Sequence, residues 1–173
     1  MGSLFKTPKH NLLYKGRPAL EQTVEYMSQF GEVKVMTHEN SPPDTGIVDM
    51  LLKMDLLDQF FVVDCDVIPI RINEPTGTTV YCFENKKGLT CYSNFEVGSD
   101  GFVNKANEKG EVYKYSGAGI YYFGNVEWFK KCAIGCKSLA QVMSVMMEMG
   151  VIVADTTSEI FRFGSLRTIH NNE

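Results

Sequence analysis

No stretch of this 173-residue chain approaches the roughly 20 consecutive apolar residues that a membrane-spanning helix needs. The N-terminus has no apolar signal segment ahead of its first charges, so the reading predicts a cytoplasmic protein with no membrane partner. Positive charge is also scarce: 17 Lys and Arg stand against 21 Asp and Glu, a net charge of −4. The basic residues are scattered rather than clustered, which argues against a nucleic-acid partner. Cysteine is too sparse and too irregular for a secreted disulfide framework: the five, at 65, 82, 91, 132 and 136, are odd in number and form no paired metal motif. Cys132 and Cys136, four apart, read as reduced structural thiols in preference to metal ligands. No linker, repeat or low-complexity stretch divides the chain, so residues 1–173 are expected to form one domain with a sizeable core.

What is present is an apolar run that ends abruptly in acid, Phe60-Phe61-Val62-Val63-Asp64-Cys65-Asp66. A run of Phe and Val without polar interruption suits a strand covered on both faces, and α/β sheets place ligands at the carboxyl ends of such strands. Asp64 and Asp66, two apart, leave the strand on one face and repel unless a cation or basic group lies between them. Hard oxygen ligands of this kind suit Mg²⁺ or Mn²⁺. An Asp after a strand is also an ordinary turn former, and that alternative stays open.

Around this run the pattern is α/β. Pro18 followed by 19–27 reads as a helix with Pro in its first turn, closed by Gly31. Alternation predicts a strand over 32–37, and the cluster 40–44 is a loop ending in a helix cap. A second helix is expected from Thr45 to about Leu57, on the stripe Ile47, Val48, Leu51, Leu52 and Met54. Strands at 80–83 and 89–92 flank Asn85-Lys86-Lys87-Gly88 as a hairpin, with a weaker strand over 102–106. Gly117-Ala118-Gly119 precedes an aromatic strand over 120–123. Ser138 opens a Met-rich helix that runs to Met149, whose methionines read as core filler, and 151–154 is a further buried strand. The expectation is a Rossmann-like three-layer α/β/α fold with a mostly parallel central sheet and a small antiparallel excursion.

In order and approximate spacing, these pieces resemble the sugar-phosphate nucleotidyltransferases. Lys6-Thr7-Pro8-Lys9-His10-Asn11-Leu12-Leu13 and Gly16-Arg17-Pro18 are similar to that family's Pro-Lys-Pro-Leu segment and its Gly-Lys-Pro, and Asp44-Thr45-Gly46 to its nucleotide-side turn. Asp64-Cys65-Asp66 falls at the metal-binding Gly-Asp, with Asp66 the nearer equivalent. Asn107-Glu108-Lys109-Gly110 resembles the Glu-Lys-Pro, and Gly117-Ala118-Gly119-Ile120-Tyr121 the sugar-side Gly-Ile-Tyr. The resemblance implies a nucleoside triphosphate and a sugar 1-phosphate as ligands, with Mg²⁺ or Mn²⁺ on Asp66 and with Asp64 as a second ligand or a ribose partner. It implies Lys9 at the phosphates, Lys109 at the sugar phosphate and Glu108 at a sugar hydroxyl, with Thr45, Gly46 and Gly119 lining the site. Lys9 and Lys109 also read as ordinary solvated lysines, and His10 as a bystander.

Two departures accompany the matches. The family's Gly-rich triphosphate loop, ending in Thr-Arg, has no counterpart, because Met1-Gly2-Ser3-Leu4-Phe5 begins just past it. The missing strand would expose sheet edges unless another segment or a second copy of the chain filled the gap. Where the family has a second metal-binding Asp, this chain has Arg162, which can bind phosphate but cannot ligate a cation. The alternatives are therefore a catalytically inactive relative that binds a nucleotide or nucleotide sugar, and a GT-A-type glycosyltransferase using Asp64 and Asp66.

Overall fold

A computed structural model describes residues 11–36, 46–88, 90, 92–107 and 111–163. In chain order the elements are β1 (Leu13–Tyr14), β2 (Arg17–Pro18), α1 (Ala19–Met27), α2 (Ile47–Lys53), β3 (Phe60–Val63), β4 (Val67–Arg71), β5 (Thr79–Glu84) and β6 (Asn94–Val97), then β7 (Val103–Asn107), β8 (Tyr115–Phe123), α3 (Val126–Ala133), α4 (Leu139–Met147), β9 (Val153–Asp155) and β10 (Glu159–Arg162). They fall into two compact units. The first draws on the chain up to Lys34, on Val63–Ile72 and on the chain from Ser158; the second comprises Val35–Val62 and Asn73–Thr157.

The first unit begins with a tight hairpin in which Leu13 faces Pro18 and Tyr14 faces Arg17. Its two loop residues, Lys15 and Gly16, both have positive φ, 51° and 81°, as a primed two-residue turn requires. Pro18 then sets the entry to α1, whose buried stripe is Ala19, Thr23 and Met27. The helix docks on β4 through polar as well as apolar groups: the Thr23 hydroxyl donates to Val67 O, and Ile72 N donates to the Tyr26 hydroxyl at 2.9 Å. Antiparallel pairing with β10 completes this unit, Ile160 facing Pro69, Phe161 facing Ile68 and Arg162 facing Val67.

The second unit holds a six-stranded mixed sheet, ordered β7-β6-β8-β5-β9 with β3 also on β8. Pairs β5–β8, β6–β8 and β6–β7 are antiparallel and β5–β9 is parallel, so the antiparallel share exceeds the excursion expected from sequence. Phe60 stacks on Phe123 at 5.1 Å and meets Phe129 edge-on at 5.2 Å. On the opposite side of the strand Phe61 packs against Tyr122 at 4.8 Å, which explains the uninterrupted apolar run. Helix α4 starts where expected, its Ser138 side chain accepting from Gln141 N. Met143 and Met146 are fully buried core filler, whereas Met149 is exposed.

Four expectations change. Residues 32–36 form no strand, and Thr37 lies outside the described residues. The hairpin of 80–83 with 89–92 is not formed: Thr90 and Tyr92 are not in a strand, Leu89 and Cys91 lie outside the described residues, and the next strand, β6, is separated from β5 by β8. The Gly117–Gly119 segment lies inside β8 rather than before it. Helix α3 is additional, capped by Asn125, whose side chain accepts from Trp128 N at 2.7 Å. Among the described residues no helix is long and apolar enough to cross a membrane.

Candidate functional site

The acidic tip is held by backbone before any side chain is considered. Leaving β3, the chain turns through Asp64-Cys65-Asp66, with Val67 N donating to Asp64 O at 3.1 Å and Phe163 N donating to Asp66 O at 2.9 Å. The second bond extends the β4–β10 ladder, so a residue late in the chain is registered against the acids. That residue is Arg162. Its Nη2 donates to Asp64 Oδ2 at 2.7 Å and lies 3.6 Å from Asp66 Oδ1. The Asp66 side chain is 6% exposed, Arg162 19% and Asp64 43%. Aromatic packing fixes the β10 backbone around the arginine, with Tyr14 against Phe161 at 4.3 Å and Phe161 against Phe163 at 5.0 Å.

The fit of a divalent ion to this tip can be judged from its donors. Mg²⁺ and Mn²⁺ need hard oxygen ligands free of competing cations. Here one Asp64 oxygen is bonded to a guanidinium that also approaches Asp66. Unit charges 4 Å apart near a protein surface interact with roughly 4 kcal/mol, so a divalent ion between these acids would meet roughly twice that in repulsion from Arg162. Among the described residues no group of three or more His, Cys, Asp or Glu could hold a metal. The expected metal site on Asp64 and Asp66 does not fit the arrangement present. The cation demanded by two neighbouring acids is supplied by the protein.

The remaining candidates are distributed as follows. Gly46 caps α2 in an extended conformation, and a Cβ there would lie an ordinary 3.7 Å from Lys137 O. Gly119 has φ of +82° and sits at a bulge where the register passes from Tyr81–Ile120 to Cys82–Gly117, so it serves the bend of β8. Gly117 admits the Phe95 ring, which would lie 3.1 Å from a Cβ. Asp64, Asp66 and Arg162 are thus brought together, while Gly46 and Gly119 belong to the second unit. Lys9, His10, Thr45, Glu108 and Lys109 lie outside the described residues.

Two polar clusters were not foreseen. Asn73 Nδ2 donates to Asp155 Oδ2 at 3.0 Å and to Thr157 Oγ1 at 2.8 Å, tying β9 to the chain that follows β4. Asn94, fully buried, accepts from Asn85 Nδ2 and from the Ser116 hydroxyl, closing β6 against β8 and the end of β5. Their only advance signal was Asn and Asp at strand ends, which turns also explain. The thiols of Cys82, Cys132 and Cys136 are raised above the ordinary range chiefly by burial, with Asp155 adding to the effect at Cys82. Cys132 lies in the hydrophobic core of the second unit and Cys136 packs against it.

No protein-family model matches the chain, and no curated protein matches it significantly in sequence. Solved structures do share its fold. A nucleoside-diphosphate-sugar pyrophosphorylase from Vibrio cholerae RC9 is similar at a TM-score of 0.70 and 12% identity, over 97% of this chain and 92% of that one. An inositol-1-phosphate CTP transferase from T. maritima is similar at 0.66 and 11% identity, over 95% and 83%. The CTP:phosphocholine cytidylyltransferase of Streptococcus pneumoniae is similar at 0.69 and 12% identity, over 96% and 88%. At such identities the likeness establishes the mixed α/β nucleotidyltransferase fold.

Proposed function

We propose that this chain is a nucleotidyltransferase-like protein, one functional domain whose ligands are a nucleoside triphosphate and a sugar 1-phosphate. The observation that carries the reading is a fold shared over 97% of the chain with a solved nucleoside-diphosphate-sugar pyrophosphorylase. In the reaction a sugar-phosphate oxygen bonds to the α-phosphorus while the bond from that phosphorus to pyrophosphate breaks in line. Such a displacement asks a protein for alignment and for charge on the phosphates more than for covalent help. Lys9 and Lys109 are the cationic groups assigned to this task, Lys9 at the triphosphate and Lys109 at the sugar phosphate. Glu108 accepts from a sugar hydroxyl, Thr45 and Gly46 line the nucleotide side, and Gly119 lines the sugar side. Asp66 acts in this reading by holding Arg162 in place.

The test is pyrophosphate release by the full chain from panels of nucleoside triphosphates and sugar 1-phosphates, run in parallel with Mg²⁺, with Mn²⁺ and with a chelator. Release that depends on both substrates is the expected result. A folded protein that releases none and whose melting temperature no nucleotide raises would overturn the proposal. A second reading, binding of a nucleotide or nucleotide sugar without turnover, is favoured by the arginine between the acids. Its signature is stabilisation by ligand without pyrophosphate, amounting to about 2.7 kcal/mol at a hundredfold excess over Kd.

A further inference from the structure

We infer that Arg162 takes the place of a divalent cation at the Asp64–Asp66 tip, so that these acids bind neither Mg²⁺ nor Mn²⁺ while the arginine is present. The argument starts from charge. Two carboxylates leaving a strand two residues apart require a positive partner, and the partner present is a guanidinium at 2.7 Å from Asp64 and 3.6 Å from Asp66. Geometry makes this partner hard to displace. Arg162 is paired with Val67 in the β4–β10 ladder, and the next residue donates its N–H to the carbonyl of Asp66 itself. A metal ion entering between the acids would have to expel a side chain that is 19% exposed from beside a carboxylate that is 6% exposed. Expulsion would leave the guanidinium facing the ion it made way for.

Chemistry excludes sharing as well. A guanidinium has donors only and stays protonated, so Arg162 can neither join a coordination sphere nor surrender its charge to one. Arg162 offsets one of the two negative charges that would attract a divalent ion. The decisive residue lies 98 positions from Asp64 in sequence, and the Asp-x-Asp pattern read alone therefore points to a metal that the fold has replaced.

The test needs no nucleotide and so stands apart from the transfer reading. The full chain is titrated with Mn²⁺ and the free ion followed by electron paramagnetic resonance, alongside Asp64→Asn, Arg162→Asp and Arg162→Gln, each checked for folding by circular dichroism. The expected result is that the wild type takes up no more Mn²⁺ than Asp64→Asn, while Arg162→Asp gains one saturable site that a further Asp64→Asn removes. Saturable uptake by the wild type that Asp64→Asn abolishes would overturn the inference. So would a folded Arg162→Asp or Arg162→Gln that binds no more than the wild type. If neither arginine variant folds, the comparison of wild type with Asp64→Asn decides by itself.

Discussion

The Arg162 ion pairs are unequal at the scale of the residue, and mutation should expose the inequality. Asp64 is 43% exposed, so water screens its charge; Asp66 is 6% exposed and is screened far less. Replacing Arg162 by Gln, which removes the positive charge beside both acids, should therefore cost about 1.5–3 kcal/mol, the range for a hydrogen bond to a charged group. Asp64→Asn should cost about 1 kcal/mol or less, as exposed pairs do. Urea unfolding of both variants measures the contrast. Cysteine reactivity is a second residue-scale outcome. Cys65 is exposed, whereas burial raises the thiols of Cys82, Cys132 and Cys136, which lowers their thiolate fraction at any pH below the raised values. Iodoacetamide at pH 8 should label Cys65 well before those three, as peptide mass spectrometry would show.

At the scale of the element, what could be read from sequence was what is locally encoded. Helices α1, α2 and α4 carry apolar stripes at helical spacing, and Phe60–Val63 carries its own burial on both faces, so each was visible in a short window. Pairing was not. Residues 80–83 and 89–92 resembled a hairpin around a turn-forming tetrad, yet β5 pairs with β8, which begins at Tyr115, and with β9, and no local window contains that choice. The glycines of β8 misled for a related reason: they suggested a strand boundary, while the bulge at Gly119 places them inside a nine-residue strand. Helix α3 was overlooked although its ends are marked, by Asn125 and Glu127 at the start and by Lys130 and Lys131 in the last turn. Asn125→Ala should therefore lower stability by about 1 kcal/mol through the lost cap, read as a drop in thermal midpoint, with Asn125→Asp close to neutral.

For the whole molecule, the α/β class and the kinship of fold with nucleotidyltransferases could be read from the order of weak motifs along the chain, and the solved structures share that fold over nearly its full length. The location of the acidic tip was equally plain. Its occupant was not, because Arg162 arrives on β10, whose pairing with β4 brings it to an aspartate 98 positions earlier in the chain. The metal expected from Asp64 and Asp66 is the correct demand of two adjacent charges, met by a different cation.

The β4–β10 ladder also sets an order of events in folding. Its Arg71–Glu159 and Arg162–Asp64 contacts close loops of 88 and 98 residues, among the costliest closures in the chain, so they belong to the late side of the folding barrier. Until β10 docks, the two aspartates stand side by side with no arginine between them, and their mutual repulsion opposes the collapse of the first unit. Arg162→Gln should accordingly leave the refolding rate nearly unchanged and accelerate unfolding, shifting only the unfolding limb of a stopped-flow chevron. The arginine then acts as a clasp fastened last, one that governs how long the folded first unit survives rather than how quickly it is found.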